Sequence, residues 1–300
     1  MCNTPQCSGN SRHLFIGLGG SGIAALMEVK GHFRSDPSFR ESAERVCFLG
    51  IDSDHAGRIK VSYVKQPDGS VKTVEADALN AKEFLWLSHS NATQLIRPFM
   101  NPCVASWMDP QLIDRMRYVY LDGNGAAGTP QIGRLLLMGT VCDVRRRLEL
   151  LVNEISADTL APVHIHLFSG ISGGTGAGCV VDLAYLIRDT IPEHMRSRFQ
   201  LHGYILMPST STSTDFLVIR RGTAIGDAAM EQINRCMDLP GNGETYSCTY
   251  PDGRTVVSQQ PLFDELYLQE GRSEDTVYAN PREYALKCLV NKISKKVNQG

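Results

Sequence analysis

The sequence predicts a three-layer α/β fold, in which a parallel sheet is covered by helices on both faces. Three observations predict it. Short apolar segments alternate with longer segments of helical periodicity along almost the whole chain. Most of the short segments are apolar at nearly every position, which is typical of strands buried on both faces of a parallel sheet. Glycine-rich segments follow the first and the fourth apolar segments, where such folds turn from a strand into a helix.

The short apolar segments are the predicted strands, at Leu14–Leu18, Val46–Ile51, Tyr118–Leu121, Val163–Phe168, Tyr204–Met207 and Leu262–Leu268. The segments with helical spacing are the predicted helices, at Ile23–Phe33, Ala78–Leu87, Gln131–Ile155, Cys179–Asp189, Phe216–Met237 and Pro281–Val297. Because strands and helices alternate, we expect right-handed crossovers between parallel strands.

Two segments interrupt this alternation. Tyr63–Val74 and Thr245–Val257 each place a Pro-Asp-Gly sequence between residues that favour strands. Proline, aspartate and glycine each favour a tight turn, so both segments predict a β-hairpin at the surface. We expect these hairpins to be insertions, at about residues 60–75 and 245–258.

The composition excludes several classes of protein. The 300 residues carry a formal net charge of −2, so no overall basic field indicates binding to nucleic acid or to an acidic membrane. No apolar segment reaches the ~18 residues that a membrane-spanning helix needs, and the polar N-terminus is unlike a secretory signal. The nine cysteines form no CxxC pair, which favours free thiols in a reducing compartment. We therefore expect a cytoplasmic protein.

Three glycine-rich segments stand between predicted strands and helices, at Gly17–Gly22, Gly123–Gly128 and Gly170–Gly178. Glycine allows a tight turn and a close approach of a ligand to the backbone. The helix that follows directs unpaired N–H groups and the positive end of its dipole towards the turn, where a phosphate group is the natural ligand. No lysine follows as in GxxxxGK[ST], so helix ends, N–H groups and a metal ion must balance the charge. The three segments indicate one polyanion held by several backbone N–H groups.

Two classes of ligand fit these segments. Gly17–Gly22 alone is typical of a Rossmann-type dinucleotide site, with Asp52 at the end of the second strand, where an acid contacts ribose. That interpretation makes the protein an NAD- or FAD-dependent oxidoreductase. A dinucleotide site has no need of the segment Gly170–Gly178, whereas a nucleoside triphosphate gripped at both ends of its phosphate chain can use it. The triphosphate is therefore favoured, and the dinucleotide is the alternative.

The residues also resemble a known family. Ser172–Gly178, SGGTGAG, resembles the GGGTG[ST]G signature of tubulin and FtsZ, with Ser172 in place of the first glycine and Ala177 in place of the usual Ser or Thr. Other segments resemble the family's loops in the family's order: Gly19–Gly22, Ile51–Asp54, Gly125–Pro130 and Met207–Ser209. The resemblance covers residues 13–298 and is nearest to divergent bacterial tubulin-like proteins. It implies a three-layer Rossmann-like sheet of the tubulin/FtsZ GTPase-domain type, with both hairpins as insertions.

The resemblance implies roles for the loop residues in binding phosphate. Contacts to the α- and β-phosphates are implied for Gly20, Ser21 and Gly22. Contacts to the γ-phosphate, and sensing of its loss, are implied for Ala126, Ala127 and Gly128. Contacts to the other side of the phosphate chain are implied for Gly173, Gly174, Thr175, Gly176 and Ala177. Their neighbours Gly19, Gly125 and Ser172 are implied to belong to the same nucleotide-binding loops.

The resemblance also implies contacts to the metal, the ribose and the base. Asp52 and Asp54 are implied near the metal ion or the ribose, with a turn at the strand end as the alternative. Pro208 belongs to the loop on the ribose side. Asp215 is implied at the ribose hydroxyls, or else is a helix N-cap. Asn280 is implied at the guanine edge, with Tyr278 packing on the base. A turn or N-cap role is the alternative for Asn280, and Glu270 is a weaker second candidate for the base.

The implied ligand is GTP or GDP with Mg²⁺ bound through the phosphates, and no protein side chain is assigned as a metal ligand. The implied partner is a second copy of the chain in a head-to-tail homopolymer, without direct binding to nucleic acid. In the family the hydrolytic acids come from another subunit's loop beyond the central helix, and no such segment precedes Gly300. Hydrolysis is therefore expected only in the complete polymer. A nucleotide-gated scaffold that never polymerises is a further alternative.

The expected organisation has three parts. Residues 1–12 form a polar tail, and residues 13–280 form the nucleotide-binding domain. Residues 281–300 begin the central helix of the family, and the family's C-terminal domain is absent from this sequence.

Two other groups of residues receive structural interpretations. His164 and His166 alternate along one predicted strand, which favours buried core histidines over a metal pair because no third ligand is evident. Arg145, Arg146 and Arg147 are consecutive in a predicted helix, which favours a solvated face over a patch that binds a partner.

Overall fold

The computed structural model of the chain describes residues 11–35, 46–55, 59–65, 71–77, 79–97, 99–119, 125–157, 160–208 and 216–270. Side chains are described in all of these ranges except at 35, 59–65, 71–77, 115–119 and 216. Within these ranges, none of the helices combines the length and the hydrophobicity that crossing a membrane requires.

The described strands, in chain order, are β1 (Arg12–Leu18), β2 (Val46–Asp52), β3 (Ile59–Lys65), β4 (Val71–Asp77), β5 (Phe84–Trp86), β6 (Val163–Gly170), β7 (Phe199–Leu206), β8 (Tyr246–Thr249), β9 (Thr255–Ser258) and β10 (Glu265–Gln269). The described α-helices are α1 (Gly19–Ser35), α2 (His89–Gln94), α3 (Pro102–Ala105), α4 (Pro110–Val119), α5 (Pro130–Gly139), α6 (Val141–Ser156), α7 (Gly174–Thr190), α8 (Phe216–Met237) and α9 (Leu239–Asn242). A 3₁₀ helix, Glu193–Arg198, precedes β7.

A six-stranded parallel sheet forms the centre of the fold. Its order is β10-β7-β6-β1-β2-β5, and each neighbouring pair is parallel. All eight residues of β6 are buried, including His164 and His166, as expected of a central strand covered on both faces. The predicted α/β fold with a parallel sheet is therefore confirmed.

Helices cover both faces of the sheet, and the side chains of β1 show how. Leu14 and Ile16 pack in the apolar cluster that includes α5, α6 and α7. Phe15 packs in a second cluster, with Ile23 and Phe33 of α1. Successive side chains of a strand point to opposite faces. The two clusters are therefore the two interfaces of a three-layer structure.

Both predicted hairpins form. β3 pairs with β4 in antiparallel order, and β8 pairs with β9 in the same way. Arg145 of α6 holds the second hairpin, because its guanidinium forms ion pairs with Asp252 in the turn and with Asp189 of α7. The prediction of a solvated face was therefore wrong for Arg145, which is 4% exposed. Its neighbour Arg146 is exposed, as predicted.

The strand predicted at Tyr118–Leu121 was wrong where the structure describes it. Tyr118 and Val119 are the last two residues of the helix α4. Asp109 starts this helix, since its carboxylate accepts a hydrogen bond from the backbone N–H of Gln111. Proline is favoured in the first turn, where its missing N–H has no intrahelical partner, and α4 begins with one. The remaining residues of the predicted strand lie outside the described ranges.

The helix predicted at Ala78–Leu87 was also wrong. The side-chain oxygen of Asn80 accepts hydrogen bonds from the backbone N–H groups of Lys82 and Glu83, which closes a turn instead. The chain then forms β5, which pairs with β2 at the edge of the sheet. Pairing to an existing sheet overrides the local preference of a short segment for a helix.

The long helix predicted at Gln131–Ile155 is two helices, α5 and α6. Thr140 separates them with φ −112° and ψ 7°, and its carbonyl oxygen accepts a hydrogen bond from Val144 at the start of α6. The preceding residue, Gly139, lies directly against α2. A Cβ atom on Gly139 would lie 2.5 Å from the backbone nitrogen of Ala92. The break therefore coincides with a tertiary contact that no larger residue allows.

The other predicted elements agree with the structure apart from their ends. The helix Phe216–Met237 has the predicted bounds, whereas α7 begins at Gly174, five residues before the predicted start at Cys179. β10 begins at Glu265, after the predicted start at Leu262, and Leu262 and Phe263 are fully buried in the core before the strand. The helix predicted at Pro281–Val297 lies outside the described residues. The division into parts 1–12, 13–280 and 281–300 remains a prediction.

Candidate functional site

The predicted phosphate loops lie together at the carboxyl edge of the central strands. β1 and β6 are neighbours, and Leu18 at the end of β1 pairs with Ser169 near the end of β6. α1 starts directly after β1, and α7 starts four residues after β6 ends at Gly170. Because parallel strands end at the same edge, the N-termini of both helices meet there. Neither helix has an acidic residue in its first turn, so both helix ends can attract an anion.

The first loop, Gly19–Gly22, contacts the second loop, Ile171–Gly178. Gly19 has φ +68°, and a Cβ atom there would lie 2.9 Å from the backbone nitrogen of Gly176. Only glycine combines this left-handed conformation with so close an approach. The structure therefore brings together the two loops that the sequence predicts to share one ligand.

The third loop, Gly125–Thr129, completes the edge. A Cβ atom on Gly174 of the second loop would lie 2.7 Å from the Cβ of Ala126. Ala127 has φ 46° and Gly128 has φ 69°, so two consecutive residues adopt the left-handed conformation. The backbone N–H of Thr129 donates to the Ala126 carbonyl and closes the turn at 2.8 Å.

A chain of hydrogen bonds joins the third loop to the end of β2. The backbone N–H of Ala126 donates to Ser53 Oγ at 2.9 Å. Ser53 Oγ lies 2.7 Å from Thr175 Oγ1, and the Thr175 hydroxyl also bonds to the Asp52 carboxylate. The donors can run in one direction, from Ala126 through Ser53 and Thr175 to Asp52. Ser53 lies between Asp52 and Asp54 in the sequence, and no role was predicted for it.

Asp52 is the buried acid of the site and is 3% exposed. Burial raises the pKa of its carboxyl group above the ordinary value, and the charge of Asp54 raises it further. Hydrogen bonds from the backbone of Asp54, from the Thr175 hydroxyl and from the backbone of Ser53 act in the opposite direction. The net direction is upward, so the protein alone does not fully compensate a negative charge at Asp52.

Two more side chains at this edge were missed by sequence analysis. Arg221 of α8 donates from Nη2 to the carbonyl oxygen of Gly128 at 3.2 Å and to Thr129 Oγ1 at 3.1 Å. Ser169 is fully buried at the end of β6, and its hydroxyl has no hydrogen-bond partner among the residues that the structure describes. Neither residue belongs to a glycine-rich segment, so no local pattern marks it.

The remaining predicted residues divide into three groups. The first group lies within the three convergent loops or just after β2, and consists of Gly20, Ser21, Gly22, Asp54, Gly125, Ser172, Gly173 and Ala177. Pro208 follows β7 at the same edge and lies against α8, where a Cβ atom on Gly226 would lie 2.3 Å from it. Asp215 and Asn280 lie outside the described residues, and Glu270 is exposed just after β10.

The structure is similar to solved structures of three other proteins. For the GTPγS-form protofilament of TubZ from Bacillus thuringiensis serovar israelensis, the identity is 13% and the TM-score is 0.54, covering 96% of this chain and 57% of that chain. For the GTPγS-bound protofilament of CetZ2 from Haloferax volcanii, the identity is 10% and the TM-score is 0.51. The match covers 95% of this chain and 58% of the CetZ2 chain. For the GDP-bound monomer of CetZ1 from the same organism, the identity is 11% and the TM-score is 0.51, and the match covers 95% of this chain and 60% of the CetZ1 chain.

At identities of 10–13%, the similarity to these structures shows that the fold is shared and nothing further. The chain spans 57–60% of the length of these three proteins. Comparison with curated protein sequences finds no match. A family model described as "Tubulin like" matches residues 14–298, which is nearly the whole chain. The chain therefore belongs to the tubulin-like family.

Proposed function

We propose that this protein binds GTP with Mg²⁺ between its three loops and assembles head to tail into protofilaments in a nucleotide-dependent way. One observation carries the proposal: the three loops converge at one edge of the sheet, where their backbones touch. Helix N-termini and glycine backbones are the groups that proteins use to hold phosphate chains. The proposed roles of the loop residues are those that the family resemblance implies.

The loop surfaces have room for such a ligand. A Cβ atom on Gly173 would meet no described atom within 4 Å, and one on Gly20 would lie 3.9 Å from Asp52 Oδ2. Both glycines therefore lie where a ligand can reach the backbone. Side-chain cations are sparse in these loops, as expected of a site that relies on N–H groups and a bound cation.

Asp52 and Asp54 support the requirement for Mg²⁺. Magnesium prefers carboxylates, water and phosphate oxygens as ligands. A divalent cation near Asp52 would favour its ionised form, which burial disfavours. We propose that the phosphates carry the metal and that both aspartates lie near it.

Assembly is proposed from the relatives. The TubZ and CetZ2 structures are protofilaments bound to a GTP analogue, whereas the CetZ1 structure is a GDP-bound monomer. Self-association of this chain is proposed by analogy, and hydrolysis is proposed only for the complete polymer. The six described cysteines are free thiols, which supports a reducing compartment such as the cytoplasm.

Calorimetric titration tests the binding proposal. GTP, GDP, ATP and NAD are titrated into the 300-residue chain with and without Mg²⁺. We expect saturable binding of GTP that Mg²⁺ strengthens, and no binding of NAD. Binding of NAD that is independent of Mg²⁺ would instead support the Rossmann oxidoreductase.

Light scattering tests the assembly proposal. We expect scattering that rises with protein concentration when GTPγS and Mg²⁺ are present, and no rise with GDP. Saturable binding of GTPγS without any scattering would contradict assembly by this chain and support the non-polymerising scaffold.

A further inference from the structure

We propose that Arg221 holds the third loop in shape for a γ-phosphate, places a positive charge beside it, and so sets the preference of the site for triphosphate over diphosphate. This inference rests on the proposed nucleotide function. It concerns a residue of α8 that lies 93 positions after its hydrogen-bond partner Gly128.

The guanidinium of Arg221 contacts the third loop at two oxygen atoms. One nitrogen of the guanidinium, Nη2, donates to two oxygen atoms of the loop, the Gly128 carbonyl and the Thr129 hydroxyl. Thr129 occupies the N-cap position of α5, yet its side chain makes no capping hydrogen bond. The hydroxyl is therefore used as an acceptor for Arg221 instead of capping the helix.

The contact with Arg221 lies next to a strained residue of the third loop, Ala127. Ala127 has a positive φ without being a glycine, which costs about 1 kcal/mol and persists only where the surroundings impose it. On the inner side, Ser53 Oγ accepts from the backbone N–H of Ala126. On the outer side, Arg221 binds the carbonyl of Gly128. The strained residue thus lies between two anchors, one buried and one exposed.

Arg221 also supplies charge that the loops themselves lack. The three loops contain no lysine or arginine in their described residues. Arg221 brings a permanent positive charge to the loop that is implied for the γ-phosphate. A guanidinium has five N–H donors, so contacts to the loop leave donors for a phosphate group. A γ-phosphate beside the third loop therefore gains an attraction that a diphosphate, ending before that loop, does not.

The same turn of α8 also approaches the second loop. A Cβ atom on Gly222, the next residue of α8, would lie 3.7 Å from the Cβ of Ser172 in the second loop. Arg221 and Gly222 therefore connect one turn of α8 to two of the three loops. A γ-phosphate bound at the third loop would therefore also affect the position of this turn of the helix.

The test compares the affinity of the site for GTPγS with its affinity for GDP. Arg221→Ala is expected to weaken GTPγS by about 10-fold or more and GDP by less than about 3-fold. Arg221→Lys keeps the charge but lacks the planar fork of donors, so an intermediate loss is expected. Arg220→Ala is the matched control, because it removes the same charge from the adjacent exposed position. It should leave the ratio of the two affinities unchanged.

Arg221 is exposed, so its removal should not unfold the chain, and a melting curve checks this. The inference is overturned if Arg221→Ala and Arg220→Ala change the GTPγS-to-GDP ratio equally, or if Arg221→Ala weakens both nucleotides alike. In either case the wild-type chain still binds GTPγS, and the proposed function stands. If the wild-type chain binds neither nucleotide, the proposed function fails, and this inference fails with it.

Discussion

The two ends of the same parallel strands are built in opposite ways. At the carboxyl ends, glycines and small residues let the backbones of three loops touch, and Gly173 leaves space open for a ligand. At the amino ends, four buried histidines fill the corresponding region of β1, β6 and β7: His13, His164, His166 and His202. One end of the sheet thus offers main-chain groups, whereas the other is closed by large side chains that bond to one another.

The histidine cluster is held by hydrogen bonds and by ring stacking. His13 Nδ1 lies 3.1 Å from His166 Nε2, and His164 Nδ1 lies 3.0 Å from His202 Nε2. The rings of His166 and His202 stack with centroids 5.1 Å apart, and His202 also bonds to Glu265. In each N–H···N bond one ring must accept, so protonation of both rings removes that bond. Within the described ranges, no group of three or more His, Cys, Asp or Glu side chains is arranged to hold a metal.

We therefore expect changes at the carboxyl ends to affect ligand binding and changes at the amino ends to affect stability. The comparison fails wherever a substitution at one end has the effect that is expected at the other.

The largest effect is expected for Gly173→Asp. Gly173 is the N-cap residue of α7 with φ −116°, a conformation that aspartate adopts readily at helix starts. The fold should tolerate the change, but a carboxylate would stand where a phosphate is expected. We expect the affinity for GTPγS to fall at least about 100-fold by calorimetry.

The matched control for this substitution is Gly241→Asp in α9. A Cβ atom on Gly241 also meets no described atom within 4 Å, and the change in charge is the same. It should bind GTPγS as the wild type does. Unchanged affinity in Gly173→Asp, with the fold intact by circular dichroism, would argue that the second loop does not face the phosphates.

The next largest effect is expected for His166→Ala at the amino ends. The ring bonds to His13 and to Tyr204, and it stacks on Phe15 with centroids 4.7 Å apart. Its loss leaves a cavity and unpaired polar groups, so the free energy of unfolding should fall by about 2–4 kcal/mol in urea denaturation. The exposed His194 is the control, and His194→Ala should change stability by less than about 0.5 kcal/mol. A His166→Ala chain that loses GTPγS affinity but not stability would break the comparison.

A smaller effect is expected for two serines near the loops. Ser53→Ala removes the acceptor of the Ala126 N–H and the partner of Thr175, so it should cost about 1–2 kcal/mol of unfolding free energy. Ser169→Ala removes a buried hydroxyl that has no partner, so it should change the unfolding free energy by less than about 0.5 kcal/mol. Equal costs in the two variants would show that the hydrogen-bond chain adds nothing to stability.

The smallest effect is expected in the pH dependence of stability without nucleotide. Because the folded chain raises the pKa of Asp52, it binds that proton more tightly than the unfolded chain does. The contribution of Asp52 is therefore most favourable at low pH and is lost as the pH rises from its ordinary pKa, about 3.9, through the raised folded value. Asp52→Asn does not titrate.

Urea denaturation at several pH values should show the wild type losing stability relative to Asp52→Asn as the pH increases. A difference that stays constant, or that changes in the opposite direction, would show that burial does not dominate at Asp52.

Local patterns predicted most of the elements that build the sheet and its helices. The helix Phe216–Met237 was predicted with its bounds because its periodicity is long and uninterrupted. β6 was predicted because apolar residues predominate at Val163–Phe168, although His164 and His166 interrupt them. Short elements at the edge were less predictable. Phe84–Trp86 is a three-residue strand that pairs with β2, and the break at Thr140 coincides with a contact between Gly139 and α2.

Most contacts that shape the site and the histidine cluster could not be read from local sequence. Ser53 and Thr175 are 122 residues apart, Arg221 and Gly128 are 93 apart, and His13 and His166 are 153 apart. The glycine-rich loops were predictable because a phosphate loop needs small residues in consecutive positions. The side chains that hold those loops in place follow no such spacing, since the fold alone brings them together.

The most direct test of the central claim is a crystal structure of the chain bound to GTPγS and Mg²⁺. We predict that the triphosphate accepts hydrogen bonds from backbone N–H groups of all three loops, at Gly20–Gly22, Ala126–Gly128 and Gly174–Gly176. A nucleotide that contacts the first loop alone, or that binds away from this edge of the sheet, would contradict it.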